Sequence, residues 1–93
     1  MECSGYKKQI KVETRKGVIM EECKEKINGH RVKYYSFIDC QRNNKRTWFA
    51  FIHTKGRRDC LYVHWENSFS AIVRAVHERI HQYEVDCIVK KTH

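Results

Sequence analysis

The sequence predicts an α+β fold: an antiparallel sheet of about five strands, centred on a three-strand meander, with a long helix in the C-terminal half of the chain and one shorter helix packed on it. Three observations support this prediction. Apolar and polar residues alternate in two segments between residues 30 and 65, and between them lies "TWFAFI", residues 47–52, which is apolar at nearly every position. Apolar residues then recur at helical spacing between residues 66 and 83. The 93 residues, 41% of them hydrophobic, suffice for one domain spanning 1–93 with a thin core.

The N-terminal part of the chain contains one clear segment and one ambiguous segment. Residues 5–14, "GYKKQIKVET", alternate in polarity and predict a short, half-buried strand. Residues 18–27, "VIMEECKEKI", fit a helix with acidic residues in its first turn and lysines in its last turn. Asn28 and Gly29 would then cap that helix, although the same pair is also a strong hairpin signal. Poor alternation of charge favours the helix.

The middle of the chain predicts a three-strand meander. The strands are residues 30–40, 45–54 and 59–65, separated by the turn segments "QRNN" and "KGRR". Connections this short do not allow a crossover, so neighbouring strands are expected to be antiparallel.

The C-terminal part of the chain predicts a helix followed by a final strand. Residues 66–83, "ENSFSAIVRAVHERIHQY", carry an apolar stripe at helical spacing, and Asn67 or Ser68 can cap the helix. Residues 84–91, "EVDCIVKK", alternate in polarity and are interpreted as the last strand.

The alternation in the meander assigns its side chains to two faces of the sheet. The face expected to pack against the long helix carries Val32, Tyr34, Ile38, Trp48, Ala50, Ile52, Leu61, Val63 and Trp65. The opposite face carries Arg31, Lys33, Tyr35, Phe37, Thr47, Phe49, Phe51, His53, Cys60, Tyr62 and His64. This second face combines rings with cations and is expected to have no acidic side chain.

The charge balance suggests a polyanionic partner. There are 19 Lys and Arg against 11 Asp and Glu, a net charge of +8, and nucleic acid is the commonest polyanion. We expect a non-enzymatic DNA-binding or single-strand-binding protein, for example a regulator of transcription, in which turn cations hold phosphates and rings contact bases. The residues expected to bind nucleic acid are Arg31, Lys33, Tyr35, Arg42, Lys45, Arg46, Phe49, Phe51, Lys55, Arg57, Arg58 and Tyr62.

Several other interpretations of the ring-rich face stay open. It is alternatively the seam of a homodimer, a face covered by the first helix, or the core itself if the register is reversed. The same face is also suited to docking on a protein, as an inhibitor or adaptor would. A small metal-independent ribonuclease is a further alternative, because His53 and His64 are potential acid–base groups beside Arg57, Arg58 and Tyr62.

The histidines do not predict a metal site or cofactor. "HERIH" places His77 and His81 one helical turn apart and matches the H-E-x-x-H pattern of zinc peptidases. Such a peptidase needs a third ligand and a cleft, and only about twelve residues follow His81. Chance occurrence or incidental metal binding explains the pattern more simply.

The cysteines and the absence of long apolar runs predict an intracellular protein, in the cytoplasm, nucleoid or nucleus. No segment approaches the ~20 apolar residues of a membrane helix, and the N-terminus lacks the apolar stretch of a signal peptide. The five cysteines are odd in number and evenly scattered, which favours reduced thiols over a disulfide framework.

Overall fold

The computed structural model describes residues 7–91 and contains a five-strand antiparallel sheet with one long helix on one of its faces. The strands pair in sequence order, β1-β2-β3-β4-β5, so every connection within the sheet is a hairpin or short loop. The elements are β1 (Lys7–Glu13), β2 (Gly17–Ile27), β3 (His30–Asp39), a 3₁₀ turn (Cys40–Arg42), β4 (Lys45–His53), β5 (Leu61–Glu66) and α1 (Phe69–Lys91).

The shorter helix predicted for residues 18–27 is wrong, because this segment lies within β2. Asn28 and Gly29 adopt positive φ angles of 50° and 84°, the backbone that a tight two-residue hairpin turn requires. Ile27 and His30 therefore pair across the turn, and β2 joins β3 along its whole length. The hairpin meaning of the Asn-Gly pair is the correct one.

The strand predicted for residues 84–91 is also wrong, because α1 continues to Lys91. The segment contains neither glycine nor proline, so nothing in its sequence stops the helix. The predicted cap is confirmed at the other end, where the Ser68 hydroxyl accepts a hydrogen bond from the backbone N–H of Ala71 at 3.2 Å.

The core lies between α1 and one face of the sheet. Ile72, Val76 and Ile80 of the helix are at most 1% exposed and belong to one cluster with the sheet side chains. Seven of the nine residues predicted for this face belong to that cluster: Val32, Tyr34, Trp48, Ala50, Ile52, Leu61 and Val63.

The two exceptions are Ile38, which is half-buried outside the cluster, and Trp65, which lies on the opposite face. A β-bulge explains the position of Trp65. Trp48 pairs with Glu66 and Ala50 pairs with Val63, so two residues of β5 lie opposite one residue of β4. The extra residue shifts the alternation of β5, and this turns the Trp65 ring away from the helix.

The cysteines differ from the predicted set of reduced thiols. Cys40, Cys60 and Cys87 are free, whereas Cys23 is disulfide-bonded. Cys3 lies outside the described residues. The prediction of an intracellular location therefore loses its support from uniformly reduced cysteines. Within residues 7–91, no helix has the length and apolar character needed to cross a membrane.

Candidate nucleic-acid interface

The sheet face opposite α1, called the open face below, is organised in rows across the strands. Directly paired residues share a face, so the register defines each row. Four rows follow one another from the end of the sheet at Asn28 and Gly29. The first row is His53, Arg31 and Lys26, and the second is Tyr62, Phe51, Lys33 and Lys24. The third row is Phe49, Tyr35, Glu22 and Lys8, and the fourth is Thr47, Phe37, Ile19 and Val12. Rings thus lie on β3, β4 and β5, while cations concentrate on β2 and β3.

The rings form a contiguous aromatic group, called the ring cluster below. Its members are Tyr35, Phe37, Phe49, Phe51, Tyr62 and Trp65. Phe49 is at the centre: it is stacked on Tyr35, with centroids 5.2 Å apart, and meets Trp65 edge-to-face at 5.2 Å. It also contacts the other three rings. The cluster therefore acts as a second, smaller core on this face of the sheet.

Only part of the ring cluster is accessible to a ligand. Phe37 and Phe49 are 4% and 8% exposed, so their faces are occupied by neighbouring rings. Tyr62 and Trp65 are 37% and 41% exposed and are the rings best placed to stack on a base. Phe49 therefore supports the accessible rings, in contrast to the base-contacting role expected from the sequence.

The sequence-based assignment omitted acidic side chains from the open face, namely Asp39 at the end of β3 and Glu22 in β2. Glu22 lies beside Tyr35, because residues 18–27 are a strand, and its carboxylate accepts a hydrogen bond from the Tyr35 hydroxyl at 2.8 Å. Burial, this hydrogen bond and the negative charge of Glu22 together raise the pKa of Tyr35 to about 12. The bond fixes the Tyr35 ring against Phe49 rather than leaving it free to rotate.

This raised pKa predicts a loss of stability at alkaline pH. An unfolded tyrosine titrates near pH 10.0, so above that pH ionisation favours the unfolded chain until the folded pKa near 12 is reached. The contribution of Tyr35 is therefore complete below pH 10.0 and declines as pH rises toward 12. Urea unfolding on both sides of pH 10.0 should show the decline, and Tyr35→Phe should reduce it. An unchanged pH dependence in that variant would contradict the assignment.

Two like-charged pairs lie side by side on the open face, next to the rings. Lys24 is directly opposite Lys33, and Lys26 is directly opposite Arg31. Like charges facing each other across strands destabilise a sheet. Lys26, Arg31 and Lys33 have no carboxylate partner among residues 7–91. These four residues, called the cationic rows below, concentrate positive charge within reach of Phe51 and Tyr62.

The predicted turn cations lie at the two ends of the sheet, as the meander requires. Arg42 follows β3 and lies 3.8 Å from a carboxylate oxygen of Asp39. Arg57, in the β4–β5 loop, bonds to Asp59 at 3.2 Å and places its guanidinium 5.9 Å from the centre of the Tyr83 ring. Arg57 thus contacts the helix side of the molecule. The remaining predicted cations are all exposed: Lys45 and Arg46 begin β4, and Lys55 and Arg58 lie in the β4–β5 loop.

Sequence reasoning missed three residues of this site. Lys24 and Lys26 were missed because their segment was assigned to a helix, although the Asn-Gly pair carried the hairpin signal. Trp65 was missed because of the β5 bulge, which no residue type in the segment predicts. Both errors concern backbone geometry rather than residue chemistry.

Among the described residues, the two histidines of the predicted ribonuclease alternative, His53 and His64, lie apart in the sheet. His64 lies in the bulge opposite Phe49, four residues along β4 from His53, a separation of roughly 13 Å at about 3.3 Å per residue. His77 and His81 are exposed on α1. The described part of the chain has no group of three potential metal ligands.

Comparisons with protein-family models, with curated proteins and with solved structures found no match for this chain.

Proposed function

We propose that the protein binds single-stranded nucleic acid on the open face. The observation that carries this proposal is the arrangement of the cationic rows beside the accessible rings. Cations there can follow the phosphates of a strand while its bases stack on Tyr62 and Trp65. The proposed role is non-enzymatic, as a regulator that holds DNA or RNA.

The like-charged pairs support an anionic ligand because their repulsion destabilises the sheet when no ligand is bound. Lys26 and Arg31 repel each other across the β2–β3 hairpin, and the adjacent pair adds further repulsion. A bound phosphate would convert this repulsion into two attractive contacts. Lys26, Arg31 and Lys33 have no carboxylate partner among residues 7–91 and are therefore available to an anionic ligand.

The flat, ring-bearing surface favours a single strand over a duplex. In a duplex the bases are already stacked on one another and present only their edges in the grooves. An unpaired base can instead stack on an exposed ring, which contributes roughly 1–3 kcal/mol per base. Tyr62 and Trp65 are both more than a third exposed on the same face.

Removal of the Lys26–Arg31 pair should weaken binding without harming the fold. In Lys26→Ala with Arg31→Ala, we expect affinity for a labelled single strand to fall about tenfold at low salt, because two phosphate contacts are lost. The slope of log affinity against log salt should flatten by about 1.4, at roughly 0.7 per contact. Thermal stability should be unchanged or higher, because a repulsive pair is removed. Fluorescence anisotropy at several salt concentrations measures both quantities.

The matched control is Arg74→Ala with Lys90→Ala, which removes the same charge from exposed positions of α1 on the other side of the sheet. This control should retain the affinity and nearly all of the salt slope. Equal losses in both variants would mean that overall charge drives binding and would contradict the proposed interface. A duplex that binds more tightly than a single strand would argue against the stacking role of the rings.

A protein partner on the same face is the second candidate, because Tyr62 and Trp65 belong to residue types that dominate protein interfaces. The partner would be another protein or a second copy of this chain. In that case oligonucleotides would not bind at low salt, and Trp65→Ala would weaken the protein complex or dimer instead.

A further inference from the structure

A groove of about 340 Å³ runs along the outer edge of β5, and it is called the edge groove below. On the strand side it is lined by Tyr62, Val63 and His64. Tyr62 and His64 point to the open face, where their rings meet edge-to-face at 4.8 Å, whereas Val63 belongs to the cluster on the helix side. One groove reaches residues of both faces only at a free edge of the sheet, because the inner edge of β5 is bonded to β4.

The opposite wall of the edge groove is one face of α1. Its lining residues are Ala75, Glu78, Arg79 and Gln82, which recur at positions i, i+3, i+4 and i+7 and therefore share a face of the helix. Neither Glu78 nor Arg79 forms an ion pair with any residue in the described range 7–91. The edge groove thus lies between an edge strand and a helix face that carries one unpaired charge of each sign.

β5 lacks the lysines that commonly prevent an exposed sheet edge from pairing with another strand. The chain has 19 Lys and Arg, yet the β5 sequence "LYVHWE" contains neither residue type. The other edge strand, β1, carries the exposed residues Lys8 and Lys11. This contrast indicates that β5 is the edge suited to accept an added strand, over the residues that precede its bulge.

The helix wall is self-complementary, which selects a second copy of this chain as the added partner. When two α1 helices lie antiparallel across a two-fold axis between Glu78 and Arg79, each Glu78 faces the partner's Arg79. Ala75 then faces the partner's Gln82, so that a small side chain lies opposite a long one. A peptide of another protein would have to supply the same two charges in the reverse order.

The strand and the helix are compatible with one two-fold axis. α1 turns back over the sheet after the two connecting residues, Asn67 and Ser68. The midpoint between Glu78 and Arg79 lies roughly 14 Å from the start of α1, at about 1.5 Å per residue. Tyr62 lies roughly 13 Å from the end of β5, at about 3.3 Å per residue. Because the two distances agree, one axis can relate β5 to β5 and α1 to α1.

We propose that the protein forms a homodimer through β5, in which two five-strand sheets join into one sheet of ten strands and the two α1 helices lie side by side. The outward backbone groups of β5 bond to those of the partner strand in antiparallel orientation. The axis is perpendicular to the sheet, so both open faces lie on the same side of the dimer. This inference uses only the edge of the sheet and does not depend on nucleic-acid binding.

Sedimentation velocity of the full chain without nucleic acid tests the dimer. The mass of the wild type should rise from the monomer toward twice that value with concentration. Arg79→Glu places like charges opposite each other on both sides of the axis and should raise the dissociation constant of the dimer about tenfold or more. Glu78→Arg should have the same effect. The double variant, Glu78→Arg with Arg79→Glu, restores opposite charges and should return the constant to within about threefold of the wild type.

Arg74→Glu is the matched control, because it makes the same charge change at an exposed position of α1 that does not line the edge groove. This control should leave the dissociation constant nearly unchanged, and urea unfolding shows that each variant is folded. If the double variant were as monomeric as Arg79→Glu, or if Arg74→Glu had the same effect, charge pairing across the axis would be excluded and the proposal would be overturned.

Amide hydrogen exchange provides an independent readout. The outward-facing amides of residues 61–64 should exchange more slowly in the wild type at concentrations that favour the dimer, and they should remain fast in Arg79→Glu. A wild type that stays monomeric at every concentration would overturn the proposal and leave the edge groove to an extended peptide of another protein. A dimer that is lost in Trp65→Ala and unaffected by Arg79→Glu would place the contact on the open face and would also overturn it.

Discussion

Phe49→Ala should lower the free energy of unfolding by about 3–4 kcal/mol, the cost of truncating a phenylalanine in a well-packed core. Phe49 is 8% exposed, and its ring centre lies 5.2 Å from the ring centres of Tyr35 and of Trp65. Its ring also packs against three further rings. Its removal leaves a cavity among the rings on the open face, and these rings cannot move closer together, because the hydrogen-bonded strands fix their spacing. Urea denaturation followed by tryptophan fluorescence measures the effect.

Two variants show whether this loss reflects packing. Phe49→Leu keeps most of the volume and should cost clearly less than Phe49→Ala. Tyr62→Ala removes a ring at the edge of the cluster that is 37% exposed, and it should also cost less. If Phe49→Ala lost less than about 1 kcal/mol, the ring cluster would not be the second core described above. Loss of nucleic-acid binding in Phe49→Ala should follow unfolding, whereas loss in Tyr62→Ala should occur in a folded protein.

Gly17→Ala should be the second strongly destabilising change, with an expected loss of about 3 kcal/mol, at the upper end for overpacking. A Cβ atom at Gly17 would collide with the carbonyl oxygen of Ile38 and would lie 2.7 Å from Cζ of Phe37. The backbone cannot easily withdraw, since the Gly17 carbonyl accepts a hydrogen bond from the N–H of Thr14 at 2.8 Å. Phe37 is also confined, because it packs against Trp65 at 5.1 Å.

Gly56→Ala is the matched comparison for this substitution. A Cβ atom there would meet nothing within 4 Å, but Gly56 has a φ of +81° that side chains adopt reluctantly. Its cost should be about 1 kcal/mol, from the backbone alone. Thermal or urea unfolding of the two variants in parallel tests the difference. Equal costs would show that the β1–β2 turn accommodates the methyl group by moving.

The sequence was sufficient for the parts of the fold that depend on residue periodicity. The stripe of Ile72, Val76 and Ile80 predicted the buried side of α1, and alternation placed Tyr34 and Ala50 on the helix side of the sheet. The sequence was not sufficient where the helical repeat and the strand repeat fit the same residues. Residues 84–91 alternate in polarity, yet nothing breaks the preceding helix, and tertiary context decides the outcome.

The candidate site was predictable in its chemistry and less so in its geometry. Arginine, lysine and tyrosine side chains of β3 lie on the open face, as alternation predicted. The burial of Phe49 depends on rings from both neighbouring strands, β3 and β5, which no pattern within β4 reveals. The position of Trp65 on the open face depends on the β5 bulge, which turns its ring toward Phe37.

The two like-charged pairs near Asn28 and Gly29 also have a dynamic consequence. Repulsion between Lys26 and Arg31 acts one rung before Ile27 and His30, the pair that closes the hairpin. This tip should open more often than the rest of the sheet, and amide hydrogen exchange there should be correspondingly fast. A phosphate bridging the two strands would hold them together. Ligand binding would then reduce the motion of the β2–β3 hairpin. Slower amide hydrogen exchange in β2 and β3 would therefore indicate that the ligand is bound.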